Sequence, residues 1–145
     1  MKIEEFKDIK IAYMRRIGEY GLENKSLMEK FKLHLEHQEL LDERTIILGI
    51  ALDNPLYVSK ENQRYDVGMI ISDENIDYNL PIRNIDNGQY AVFEVEHDEK
   101  AISEFWENIQ TLTADLVLDD SKPIIERYTF PKIASNLCEF CIPLK

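Results

Sequence analysis

Asp86-Asn87-Gly88-Gln89-Tyr90-Ala91-Val92-Phe93-Glu94-Val95, then Asp98, then Ile102, Phe105, Ile109, Leu112 and Leu116, is the stretch that decides the fold. The residues Asp86-Asn87-Gly88 form a turn signal, and the β-formers behind them read as a strand. Asp98 is placed to accept a hydrogen bond from a free N–H of a first helical turn. The apolar residues beyond it recur at three- and four-residue steps, which puts them on one face of an amphipathic helix. Two more β-rich runs follow, Ile124 to Phe130 before Pro131, and Leu137 to Leu144. The second half therefore reads β-α-β-β.

The first half repeats that order. Ile9-Lys10-Ile11-Ala12-Tyr13-Met14 alternates like a strand and is closed by Gly18 and Gly21. Ser26 with Glu29 three residues later is a capping box, which predicts a helix from there to about Leu41 with Leu27, Phe31, Leu35 and Leu41 as its buried stripe. Thr45 to Leu52 and Arg64 to Ser72 are β-rich runs, stopped by Asp53-Asn54-Pro55 and by the acidic stretch Asp73 to Asp77. Repeat 1 thus covers about 1–76 and repeat 2 about 77–145, joined near residues 73 to 80. Halves of this size bury too little surface to stand alone, so a single domain over 1–145 is expected. The expected fold class is α+β: a duplicated β-α-β-β with pseudo-twofold symmetry, an antiparallel sheet, two helices on one face and a ligand groove along the axis.

Composition narrows the function classes. The 145 residues include 17 basic and 28 acidic side chains, a net charge of −11 that argues against direct nucleic-acid binding and would concentrate cations. With 44% hydrophobic and 31% charged residues, the chain has the make-up of a globular protein rather than a disordered one. The longest near-continuous apolar run, Ile46 to Leu52, is far short of the roughly 20 residues a membrane-spanning helix needs. The start, Met1-Lys2-Ile3-Glu4-Glu5, lacks the apolar stretch of a signal peptide, so the cytoplasm is the expected compartment.

Cys138 and Cys141 form a C-x-x-C, but Leu137 to Leu144 reads as a strand, in which positions three apart face opposite ways. They are expected to be packing thiols. His34 and His37 sit in a charged helix beside Glu36 and Glu39 and read as part of a solvated face. Neither metal nor cofactor is expected.

Four motifs, in order, carry a resemblance: Arg64-Tyr65-Asp66-Val67-Gly68, Gly88-Gln89-Tyr90-Ala91-Val92-Phe93, Pro123-Ile124-Ile125-Glu126-Arg127-Tyr128, and Cys138-Glu139-Phe140-Cys141-Ile142-Pro143-Leu144, with Tyr13-Met14-Arg15 to Gly18-Glu19-Tyr20 ahead of them. Over nearly the whole chain they resemble the GyrI-like effector-binding domains. That family includes ligand-sensing domains of AraC-type and multidrug-responsive regulators, the gyrase inhibitory protein and stand-alone members. This chain carries Phe31 where many members have a tryptophan in the first helix, and Gln38 to Glu43 has no glycine. An effector-like domain would occupy the sequence from first strand to last, leaving no room for a helix-turn-helix.

Glu126 and Tyr128 are two apart in a strand and share a face with Ile124 and Phe130. A carboxylate in such company either rises in pKa or recruits a cation. The resemblance implies that Glu126, in the family's P-x-x-E-x-Y pattern, is a ligand-binding residue; the competing reading is a rim glutamate held in water or paired with a neighbour such as Arg127. Trp106 is either core or a pocket wall suited to a cation. Of Tyr90 and Phe93 only one can face the groove, and Tyr90 is the expected one. Tyr13 and Tyr65 are further candidate walls, although Tyr65 and Asp66 also suit strand pairing. The expected function is capture of a hydrophobic, cationic small molecule. Two alternatives stand beside it: hydrolysis, with Glu126 as general acid or base and Tyr128 as hydrogen-bond donor, and modulation of a protein partner in the manner of the gyrase inhibitor. The oligomeric state is left open.

Overall fold

In the computed structural model, which describes residues 1–145, eight strands form one antiparallel sheet. They are β1 (Lys2–Phe6), β2 (Lys10–Ile17), β3 (Ile46–Ala51), β4 (Arg64–Ile70), β5 (Ile82–Asn84), β6 (Gly88–Glu96), β7 (Ile125–Thr129) and β8 (Leu137–Pro143). Their spatial order, β1-β6-β8-β7-β3-β4-β2-β5, reads the same from either end when β1 to β4 are matched with β5 to β8. This is the duplicated, pseudo-twofold arrangement expected from the sequence. The axis passes between the central strands β3 and β7, where Gly49 lies opposite Glu126.

Strands β1 and β5 were not separated in the sequence reading, and they explain the shape of the sheet. Only Lys7 to Ile9 join β1 to β2, yet the two are six strand spacings apart, about 29 Å in a flat sheet and far beyond the roughly 14 Å that the link can reach. The sheet has to curl. Residues Ile85 to Asn87 make the equivalent short link from β5 to β6, and the links meet: Ile85 N donates to Ile9 O at 2.8 Å and Asp8 N to Asn87 Oδ1 at 3.0 Å. The inside of the curl is filled by Phe6, Ile11, Leu48, Ile50, Ile85, Tyr90, Val92, Ile125 and Cys141.

The helices α1 (Leu22–His37) and α2 (Glu99–Glu107) cover the outer face, α1 on β2 and β4, α2 on β6. Leu27, Phe31 and Leu35 form the buried stripe of α1. The helix starts one turn before the expected capping box, at Gly21, whose φ of +149° together with +153° at Gly18 turns the chain out of β2. Ser26 is therefore interior to the helix, and Leu41 lies beyond its end.

Asp98 does cap α2, its carboxylate accepting from Ala101 N at 2.8 Å. The expected long apolar face breaks at Asn108 into a short α3 (Ile109–Leu112), and Leu112 is 45% exposed. A further short helix, α4 (Phe130–Ala134), with Pro131 in its first turn, links β7 to β8. Asp98→Ala is expected to cost about 1 kcal/mol of stability, read as a lower urea midpoint with an unchanged slope.

Cys138 and Cys141 are buried, free and on opposite faces of β8, as the strand reading required. Burial pushes their thiols up to about 11 and about 12, away from reactive thiolate. No helix is long and apolar enough to cross a membrane.

Candidate functional site

The alternation of β7 decides what can form a site. Ile125 and Arg127 point into the curl, while Glu126 and Tyr128 point outward between the two helices. Arg127 consequently cannot neutralise Glu126. It pairs on the inner face with Glu4 at 2.7 Å and Glu139 at 2.9 Å, and the guanidinium holds the Glu4 carboxyl down to about 2.

Glu126 has two partners, both donors. Tyr128 Oη donates to Oε2 at 2.6 Å, and Tyr65 Oη, from β4, lies 3.4 Å from the same oxygen. No lysine or arginine nitrogen comes within ion-pair distance of it. Burial raises the Glu126 pKa above the ordinary carboxylate value, and the two hydroxyls partly oppose that rise. Both phenols are pushed upward by burial and by the adjacent acid, so they remain protonated and available as donors.

Gly49 makes this cluster possible. A Cβ there would collide with the Tyr65 hydroxyl and come within 3.1 Å of Glu126 Oε2. A glycine inside a β-rich run marks such a close approach. Gly49→Ala is expected to displace Tyr65 and cost about 1–3 kcal/mol of stability; tyrosine near-UV circular dichroism and urea unfolding would register both effects.

Glu126 sits between two hollows in the outer groove. One, about 580 Å³, is bounded by Trp106, Tyr57, Leu118, Ile124, Ile142 and the Asp119–Lys122 loop. The other, about 610 Å³, is bounded by Tyr65, Tyr128, His97, Ile102 and the Asn24–Lys32 side of α1. Trp106 packs edge-on against Phe105 and Phe140 at 5.0 and 5.1 Å and remains 37% exposed, so it is both core and wall.

Four of the expected residues, Glu126, Tyr128, Tyr65 and Trp106, therefore surround one groove. Tyr90 and Tyr13 do not, because strand alternation turns them to the inner face. Tyr90 is 1% exposed, stacked on Phe6 at 4.2 Å, with its hydroxyl donating to Asp86 O. Phe93, the alternative, is the residue on the helix side. Tyr13 lies under the guanidinium groups of Arg15 and Arg83, 5.6 and 5.4 Å from its ring centroid. Sequence reasoning missed Gly49, Tyr57 and His97, whose ring lies 5.6 Å from that of Tyr128. Of these only Gly49 carried a signal, as a glycine within a strand.

This arrangement has relatives. The profile of the GyrI-like small molecule binding domain matches residues 1–145. The SPbeta prophage-derived protein YosT of Bacillus subtilis (strain 168), whose name places it with the transcriptional regulators, is 39% identical over 146 residues, covering 99% of this chain and 97% of its own. Among solved structures, SAV2435 bound to tetraphenylphosphonium superposes with a TM-score of 0.68 at 13% identity, covering 99% of this chain and 93% of that one. The EcmrR C-terminal domain gives 0.66 at 11% identity, covering 99% and 96%. The chain belongs to the GyrI-like small-molecule-binding domain family.

Proposed function

We propose that the outer groove captures hydrophobic organic cations and releases them unchanged, with Glu126 as the counter-charge. The observation that carries this reading is a half-buried carboxylate held by two tyrosine hydroxyls, beside Trp106, Leu118 and Ile124, with no lysine or arginine nitrogen within ion-pair distance. An unpaired acid in such a place is costly to ionise, and a lipophilic cation removes that cost while burying its own apolar surface. Trp106, 37% exposed in the wall of the same groove, would add a cation–π contact of about 0.5–2 kcal/mol. The tetraphenylphosphonium held by SAV2435, a protein of the same fold, is a ligand of this chemistry.

The test is a thermal-shift panel of lipophilic cations, their neutral isosteres and activated esters, followed by mass spectrometry of each mixture. Stabilisation by intact cations and not by their isosteres is expected; a ligand at 100 times its dissociation constant adds about 2.7 kcal/mol. Consumption of an ester or other neutral compound, abolished in Glu126→Gln, would replace capture by hydrolysis.

A further inference from the structure

A third hollow, about 220 Å³, opens beside α4 and takes no part in the site above. Leu41, Ile47, Phe130 and Ile133 supply its apolar wall, and Tyr128 and Lys32 are the residues it shares with the groove. The pseudo-twofold axis explains its chemistry. Ala51 and Tyr128 each lie two residues beyond the Gly49–Glu126 pair on their strands, so they occupy equivalent positions on the same face. On the Ala51 side the small side chain leaves Glu126 open to the Trp106 hollow. On the Tyr128 side a phenol ring stands there instead, and Glu126 is absent from the wall.

No acid borders this hollow, and the polar side chains around it are already engaged. The Tyr128 hydroxyl donates to Glu126, and Thr45 Oγ1 accepts from Asp42 N at 3.0 Å and donates to Leu40 O at 3.4 Å. Thr129 alternates with Tyr128 to the inner face of β7. Lys32, the one charged neighbour, is exposed on α1, which leaves its ammonium hydrated. Phe130 and Ile133, one turn apart on α4, are 44% and 39% exposed, so a guest would cover apolar surface that the fold leaves in water.

We propose that this hollow is a second binding site, for an uncharged apolar molecule of one or two rings. A cavity of about 150 Å³ with comparable apolar lining holds benzene, and drug-sized ligands need roughly 300 Å³ or more; 220 Å³ lies between. An ionised guest would lose hydration without gaining a buried partner. The competing occupant is a side chain of a second copy, and the test separates the two. The site stands whether or not the groove takes a cation.

The experiment is titration of the wild type and Ile133→Trp with toluene, benzylammonium and benzoate, which share one ring and differ in charge, followed by calorimetry and methyl NMR. Ile133 lies outside the cation groove, and an indole there would fill the hollow. In the wild type, toluene is expected to bind about tenfold or more tightly than either ion, and to shift the methyls of Leu41, Ile47 and Ile133 but not those of Leu118 and Ile124. Ile133→Trp is expected to weaken toluene about tenfold or more with an unchanged urea midpoint. Benzoate or benzylammonium binding as tightly as toluene at the same methyls would overturn the uncharged class. No binding of toluene, shifts confined to Leu118 and Ile124, or full affinity in Ile133→Trp would overturn the site. A wild-type dimer that Ile133→Trp dissociates would give the hollow to a second copy and overturn it as well. Should the variant fail to fold, the methyl shifts of the wild type still decide.

Discussion

Asp66→Ala is expected to lower folding stability by about 3–5 kcal/mol, a large share of the roughly 5–15 kcal/mol that holds a domain together. Asp66 is 0% exposed, on β4 at the inner face of the sheet. Its Oδ1 accepts from Arg15 Nε at 2.7 Å, and its Oδ2 accepts from Arg15 Nη2 at 3.0 Å and Arg83 Nε at 2.9 Å. Arg83 comes from β5, the short strand that arrives from the far half of the chain, so the carboxylate ties that strand to β2 and β4. Removing it leaves two guanidinium groups over the Tyr13 ring without their shared counter-charge. The exposed pair Lys10–Glu74 serves as the control, and Glu74→Ala should cost less than about 1 kcal/mol. Urea unfolding of both variants checks the contrast. A loss for Asp66→Ala no greater than the control's would show that the arginines relax into water at no cost.

Glu126→Gln is expected to weaken binding of a lipophilic cation about ten- to a hundredfold, about 1.4–2.8 kcal/mol. The amide preserves shape and can still accept the Tyr128 hydroxyl, so the loss isolates the charge. The unliganded protein should respond differently. Because burial raises the Glu126 pKa, the folded state holds that proton more tightly than the unfolded chain does. The stability contributed by the proton is present below the unfolded value near 4.5 and is lost as pH rises through the folded value. The wild type should therefore lose stability relative to Glu126→Gln as pH climbs across that window. Glu4 acts with the opposite sign: its pKa, lowered to about 2 by Arg127, contributes stability above the ordinary value of 4.5 that disappears towards 2. Glu4 titrates alike in both proteins, so the difference between wild type and Glu126→Gln reports Glu126. Chemical denaturation at several pH values would measure that difference.

The architecture was legible because its signals are local and repeated. The apolar spacing of Leu27, Phe31 and Leu35, the Asp98 cap and the β-rich runs each specify an element without reference to the rest of the chain. The pairing of β1 with β6 and of β5 with β2 was not legible, because it depends on three-residue links that exchange strands between the halves. A period-two pattern in one strand places residues on alternate faces but does not say which face the helices will cover. For that reason Glu126 and Tyr128 were grouped correctly, while Tyr90 and Tyr13 were assigned to the wrong side. The Tyr65–Glu126 contact joins β4 to β7 across β3, and its one trace in the sequence is Gly49, where any side chain would fill the gap.

The most direct measurement is isothermal titration of tetraphenylphosphonium into the wild type and Glu126→Gln from about pH 5 to about pH 8, with the compound recovered intact afterwards. A cation competing with the Glu126 proton predicts wild-type affinity that rises with pH until the acid is ionised, and a weaker, pH-independent affinity in Glu126→Gln. Equal affinity in the two proteins at every pH would contradict a counter-charge role for Glu126.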